Sequence, residues 1–387
     1  MMEEIYFDNS ATTVCTPSVR DAVVHAMTEE YGNPSSRHVK GIEAEKLLKQ
    51  AAQTIAGTLH ASEKEIFFTS GGTESDNWAL IGTASANRRA GNHIITTAVE
   101  HEAVLQPAKY LQDQGFSITF LSVDRTGAIS LEELKKALRK DTILVSVMAV
   151  NNEVGRVQPV EEAARLVKEF DPGIVFHTDA VQAYGKIPLD VRKLKADLLS
   201  VSGHKIHGPK GTGFLYIRER TKIHPLILGG GQQRGMRSGT DNVPGAAGLS
   251  QAAKDAYDHL EENRKHLNEL KEYMTKGLLE LPDVVIHSSA GEEGAPHIVS
   301  AAFTGVRSEV LLHALEDRGI YVSSGSACAS NRKPSVSPVL SQMKLPMAQM
   351  ESTLRFSFSE LNTKKEVDTC LAALREFLPV LRRYTRR

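Results

Sequence analysis

Cysteine is scarce in this chain: its 387 residues contain only Cys15, Cys328 and Cys370. Three thiols with no CxxC pair exclude a disulfide framework and a zinc ribbon. A zinc HExxH motif is missing as well, since Leu105 stands where the second histidine after His101 would be. No apolar run approaches the roughly 20 residues that cross a bilayer, which argues against a membrane protein. Excess charge of one sign is also absent. The chain has 46 Lys+Arg against 47 Asp+Glu, a formal charge of −1, and a pI of about 6.9. That balance gives no basic field for direct nucleic-acid binding. The start, MMEEIYFDNSATT, lacks the basic-then-apolar pattern of a signal peptide, so the expected compartment is the cytoplasm. What remains is ordinary globular composition, 41% hydrophobic and 24% charged. This excludes disordered and collagen-like classes. The length exceeds one typical core, so two domains are expected.

From about residue 65 to 218 short apolar runs alternate with helical stretches. The runs are Ile66–Phe68, Ile94–Thr97, Ile118–Leu121, Ile143–Val150, Ile174–His177, Leu198–Val201 and Phe214–Ile217. Helical stretches such as Leu131–Arg139 and Val160–Phe170 lie between them. This alternation predicts βαβ units and a mostly parallel sheet covered on both faces. After Pro244, apolar residues from Leu249 to Leu278 recur at three-to-four spacing and predict one long connecting helix. A second domain is expected beyond it. Its strands fall near His297–Phe303 and Leu354–Phe358, and its helices over Ser308–Arg318 and Lys364–Leu378. The stretch Gly325–Pro338 reads as a loop.

Five strand ends carry chemistry-bearing residues. The segment SGHKIHGPKG places Lys205 directly after a strand. Most loop lysines are solvated, but here histidine and glycine surround the amine in place of acids, and a crowded site suits imine chemistry. The segment SGGTESDN carries Gly72 and Thr73 into a helix start, where backbone amides can bind phosphate. In FHTDAVQ, His177 and Asp179 alternate and so share one face. A carboxylate there needs a partner, and a protonated ring nitrogen is a suitable one. His101 in VEHEAV and Asn152 in VNNEVG complete the set. In open parallel sheets ligands bind beyond the carboxyl ends of the strands. An imine-forming lysine, an acid for a pyridinium, a stacking histidine and a glycine–threonine turn together fit pyridoxal 5'-phosphate.

The runs YFDNSATT, YGNPSSRH, SGGTESDN, EHEAV, VNNEVG, HTDAVQ, SGHKIHGPKG, RSGTDNVPG, SGSACAS and LRFSFSELNT occur in order along essentially the whole chain. In them the sequence resembles the cysteine desulfurases of the NifS/IscS type, in the fold type I, class V aminotransferase family of pyridoxal-phosphate enzymes. The resemblance implies an α/β fold, a mostly parallel seven-stranded sheet with helices on both faces plus a smaller α/β domain. It implies a large cofactor-binding domain over residues 15–250, and a small domain from residues 1–14 and 251–387 that carries the active-site cysteine loop. Position by position, it makes Lys205 the lysine that bonds the cofactor, Asp179 the partner of the ring nitrogen and Gln182 a neighbour of the ring hydroxyl. His101 becomes the stacking residue, placed also to manage protons. Gly72, Thr73, Ser202 and His204 become phosphate ligands, joined by Thr240 from the other subunit of a homodimer. Asn152 would contact cofactor or substrate, and Arg355 the substrate carboxylate.

Cys328 becomes the sulfur acceptor. Its neighbours Ser-Gly-Ser-Ala and Ala-Ser supply no apolar wall, and Arg332 and Lys333 follow, a setting for a reactive thiolate. Cys370 reads as a helix core residue and Cys15 as a loop thiol matching no family site. The implied reaction takes L-cysteine to L-alanine and a Cys328 persulfide. The sulfur then passes to an acceptor protein, an iron–sulfur scaffold or a tRNA-thiolating enzyme. Two departures bear on that acceptor. NRKPSVSPVL, with its basic Arg332–Lys333 pair, replaces the more usual Ala-Ser-Leu-Glu-Pro type of run and would alter the acceptor docked there. The chain ends at Arg387 soon after its last predicted helix, which puts the iron–sulfur scaffold in doubt and leaves a tRNA-thiolating enzyme as the alternative. Selenocysteine lyase or related chemistry on the same scaffold is the alternative activity, and a non-catalytic scaffold of the same fold the other.

Overall fold

The computed structural model describes residues 4–324 and 336–385. Seven strands form the main sheet: β1 (Ile66–Thr69), β2 (His93–Thr97), β3 (Ser117–Leu121), β4 (Thr142–Ser146), β5 (Val175–Asp179), β6 (Leu198–Ser202) and β7 (Gly213–Ile217). Their order is β1-β7-β6-β5-β4-β2-β3. Only β7 runs against the others, pairing antiparallel with β1 and β6. The expected mostly parallel seven-stranded sheet is therefore present, and the carboxyl ends of β1, β2, β4, β5 and β6 share one edge. The run expected over Ile143–Val150 leaves the regular ladder at Ser146. Val147 and Ala149 still donate to the carbonyls of His177 and Asp179, at 3.1 and 2.8 Å.

Strand alternation sends side chains into two cores. Val145, Phe176, Leu199 and Phe214 pack on one face. Helices α1 (Pro17–Thr28), α2 (Val39–Leu59), α5 (Val160–Phe170) and α6 (Val243–Asp258) add residues such as Val19, Ile55, Ala163 and Leu249 there. Leu144, Val175, Leu198 and Leu215 pack on the other. There they meet Trp78, which lies beyond α3 (Gly72–Asn77), and Val104 and Leu111 of α4 (Glu102–Asp113). Burial on both faces explains why the strands read as continuous apolar runs.

The long helix expected through Leu249–Leu278 is two helices, α6 and α7 (Leu260–Leu279), broken at His259 with φ −120° and ψ 18°. The apolar stripe passes through the break because its halves face different cores. Leu249 and Ala253 belong to the sheet core, whereas Leu267, Leu270, Met274 and Leu278 belong to a separate one. That second core also holds Ile5, Phe7, Phe356 and Cys370. It lies against a four-stranded antiparallel sheet ordered β10 (Ser323–Ser324), β11 (Thr353–Ser357), β9 (Ile298–Phe303) and β8 (Val284–Ile286). Helix α8 (Ser308–Glu316) and helix α9 (Lys364–Thr385) add to it; α9 runs past the expected Leu378 and through Pro379. Pro379 lies on the exposed side of the helix. The expected loop over Gly325–Pro338 ends early, because Ser337 accepts from the Leu340 amide and caps a short helix that starts at Pro338; residues 325–335 lie outside the described residues. No described helix is long and apolar enough to cross a membrane.

Candidate functional site

The glycine turn after β1 is shaped by close packing. Gly71 has φ +146°, a region that favours glycine. A Cβ on Gly72 would stand 2.8 Å from Val181 Cγ2 and 3.6 Å from Ser202 Cβ. The turn thus lies directly over the ends of β5 and β6. Glu74 pins it: one carboxylate oxygen accepts from the Ser70 amide at 2.8 Å. Both oxygens take the Arg237 guanidinium, at 2.9 and 3.2 Å. Burial alone would raise the Glu74 pKa, but these donors hold it below the usual range. Arg237 thereby ties the RSGTDN segment to the glycine turn. Thr240 of that segment is exposed.

Lys205 ends a short turn after β6, half-buried, and donates to the carbonyls of Ser10 and Ala11 at 2.6 and 2.7 Å. Gln182 donates to the same Ser10 carbonyl at 2.9 Å, so the two side chains meet on one backbone oxygen. The Gln182 carbonyl also lies 3.3 Å from His297 Nε2. His204 stands 3.2 Å from the Thr12 hydroxyl. Burial and the charges of Lys205 and Lys210 bring its pKa down to about 4, so the ring is neutral near pH 7. His101 caps α4, its Nδ1 accepting from the Ala103 amide at 3.1 Å. With Thr73, Asn77, Gln106 and Tyr110 it lines an open cleft of about 670 Å³.

Asp179 closes β5 and is 6% exposed. One of its oxygens accepts from the Val181 amide at 2.9 Å. Burial raises its pKa, opposed by that bond and by the charges of His101 and Lys205. Two further acids lie beneath it. Glu100 accepts from Thr97 and from the Met148 amide through one oxygen, and its other oxygen is buried with no partner among the described residues. Burial pushes its pKa up to about 8. Asp76 is driven well above its usual range by burial and by the charge of Asp179. His177 lies 3.5 Å from Asp76 and is bracketed by the hydroxyls of Ser146 and Ser200, at 2.8 and 3.0 Å. Burial takes its pKa down to about 3, so the ring is neutral.

On the small sheet Arg355 lies in β11, opposite Ser300 and Ser323. Its terminal nitrogens donate to Asp8 Oδ1 at 2.7 Å and to the Asn152 carbonyl at 2.8 Å. Asn152 therefore meets Arg355 through its backbone. A small cavity of about 10 Å³, room for a single water, is lined by Glu153, Ser300, Thr353 and Arg355 among others. Cys328 lies outside the described residues. Cys370 is fully buried in the second core, and Cys15 is exposed.

Sequence reasoning set Glu74 and Glu100 at the strand ends but not their burial or partners, and it missed Asp8, Asp76 and Arg237 as members of this region. All stand inside or beside the matching runs, but none announces its burial or its partner locally. The arrangement suits a cofactor with a cationic ring and an anionic arm. A buried carboxylate at the sheet edge feels the charges of His101 and Lys205, the Lys205 amine stands at the next strand end, and a glycine turn too tight for a Cβ lies over both.

The class V aminotransferase model matches residues 5–370 of this chain. The cysteine desulfurase IscS of Methanosarcina thermophila is 45% identical over 379 residues, covering 98% of this chain and 93% of that protein. A solved NifS-like protein superposes with a TM-score of 0.92 at 42% identity, covering 98% of this chain and all of that one, 100%. A structure described as SspA in complex with cysteine gives 0.80 at 32% identity, with 93% and 100% covered. The chain belongs to the class V aminotransferase family and, within it, to the cysteine desulfurases.

Proposed function

We propose that this chain takes the sulfur from L-cysteine with pyridoxal 5'-phosphate bound, leaving L-alanine, and that Cys328 receives the sulfur. The observation that carries this reading is the shared sheet edge, where Lys205, Asp179, His101 and the glycine turn converge. In it, Gly72, Thr73, Ser202 and His204 hold the cofactor phosphate, with Thr240 supplied by the second subunit of a homodimer. Lys205 would hold the cofactor through its aldehyde, and its amine would be the base that takes the Cα proton of the substrate. When bound, the cofactor supplies a protonated ring that takes up the electron pair left at Cα. Asp179 keeps the proton on the ring nitrogen, Gln182 neighbours the ring hydroxyl, and His101 covers the ring. Arg355 holds the substrate carboxylate, and Asn152 contacts the cofactor or the substrate. The Cys328 thiolate attacks the substrate sulfur, so the carbon–sulfur bond breaks as a sulfur–sulfur bond forms. Cysteine plus thiol thus becomes alanine plus persulfide, with atoms and electrons balanced.

Residues 15–250 form the cofactor-holding domain in this reading. Residues 1–14 and 251–387 form the smaller one, which brings Arg355 and Cys328. Packing of Ile5 and Phe7 with Leu267 and Phe356 supports that grouping. The persulfide sulfur passes to a protein acceptor, an iron–sulfur scaffold or a tRNA-thiolating enzyme, and the cytoplasm is the compartment that keeps the thiol reduced. The test is alanine formation from L-cysteine by the purified holoenzyme and by Cys328→Ala. The wild type should yield one alanine per sulfur released, and the variant should lose both. Undiminished sulfur release by the variant contradicts the assignment of Cys328.

A further inference from the structure

Arg355 is only 9% exposed and sits in the middle of a sheet. A buried guanidinium needs a counter-charge and a partner for each donor. Asp8 supplies the charge, at 2.7 Å from Nη2, and the Asn152 carbonyl takes Nη1 at 2.8 Å. The Nε–H is left buried and without a partner among the described residues. Asp8 is itself held in place. Ile5–Tyr6 pairs with Ile320–Tyr321, and Asp8 bridges Ser357, two residues from Arg355 on the same strand. A planar guanidinium gripped at both terminal nitrogens has a fixed orientation, so the direction of its remaining donor is fixed too. The small cavity beside Arg355 is lined by Ser300 and Thr353 and by Glu153, whose carboxyl is driven toward its neutral form by burial.

We propose that Asp8 is a positioning residue for the substrate carboxylate: it pairs with Arg355 and holds the guanidinium so that the Nε–H is kept for the incoming acid group. The ligand this arrangement takes is the carboxylate of an α-amino acid. This inference rests on the reading of Arg355 as the carboxylate-binding residue. Asp8 touches neither substrate nor cofactor and acts only through Arg355.

The test is equilibrium binding to the cofactor-loaded homodimer, followed through the cofactor absorbance. L-Alanine and its decarboxylated counterpart ethylamine are the two probes. Asp8→Asn keeps the shape and removes the charge. It should weaken L-alanine about tenfold, the loss expected when a charge-assisted partner becomes neutral, and leave ethylamine within about twofold. In an Arg355→Ala background the same change should have no further effect on L-alanine. Should the amide variant fail to fold, Asp8→Ser carries the same expectation. Equal weakening of both probes, or no weakening of either, overturns the proposal and leaves Asp8 a staple for the amino-terminal strand. Selective weakening by Arg355→Ala but not by Asp8→Asn overturns the role of Asp8 alone. If Arg355→Ala does not weaken L-alanine selectively, the reading of Arg355 falls and the inference falls with it.

Discussion

The two ends of this site treat buried charge in opposite ways. At the edge of the large sheet, Asp76, Glu100 and Asp179 are acids gathered with neutral His177, and burial pushes all three toward the protonated form. Hydrogen bonds oppose that push at each of them, and at Asp179 the charges of His101 and Lys205 oppose it too. At the small sheet the buried group is a cation, Arg355, and it is contacted by a carboxylate, Asp8. The difference teaches what each end lacks. Several acids close together are costly to ionise at once, and in the proposed reading a protonated ring nitrogen beside Asp179 is the cation that offsets them. At the basic end the Arg355 Nε–H has no partner among the described residues, and the proposed reading gives it the substrate carboxylate. The zwitterionic substrate and the cationic, phosphate-bearing cofactor of the proposed function would complement both ends.

Removing the amine at the acidic end should have the largest effect. Lys205→Ala should lower alanine formation by more than about 10³-fold, because in the proposed reaction the lysine both holds the cofactor and moves the proton. Product quantification on the purified holoenzyme checks this, and a loss under tenfold would show that Lys205 is not the reacting amine. Asp179→Asn should come next, with a fall in kcat/KM of about 10²-fold, the scale on which a preorganised electrostatic partner acts. The cofactor should also dissociate more readily, as read by absorbance titration of the cofactor-free chain. An unchanged cofactor affinity would place the ring nitrogen elsewhere. Asp8→Asn, at about tenfold on carboxylate binding alone, probes the basic end.

The smallest effect concerns stability rather than rate. Burial pushes the Glu100 carboxyl up to about 8 in the folded chain, against roughly 4.3 for an unperturbed glutamate. Between those values the folded chain holds a proton that the unfolded chain has lost. Stability therefore falls as pH rises through that window and levels off above pH 8. Glu100→Gln removes the fall. Melting temperatures of the cofactor-free wild type and variant from pH 5 to 9 should diverge in favour of the variant, by about 2 °C or more at pH 8. Parallel curves would mean that Glu100 is ionised in the folded state.

Much of the fold was legible because burial leaves its mark on composition. Strands covered on both faces are apolar throughout, and glycine, asparagine or aspartate punctuate their ends. The residues proposed for the cofactor stand at those punctuations. Lys205 and Asp179 were readable because a lysine or an acid at the end of an apolar strand is out of place there. The break at His259 was not readable, since an apolar stripe does not say which core it faces. Asp8 and Arg355 are 347 residues apart, and no local pattern records their pairing. Glu100 and Asp76 look like ordinary surface acids until the packing of β2, β4 and β5 encloses them. Loop-like composition before Pro338 hid the start of a helix whose Val339 and Leu340 are buried in the main core.

Peptide mass spectrometry after a single turnover tests the central claim most directly. The holoenzyme is given L-cysteine, its thiols are alkylated at once, and the peptide containing Cys328 is weighed while alanine is counted. One added sulfur on Cys328 for each alanine formed is the predicted result. Alanine formed in full with no sulfur on that peptide would contradict the account.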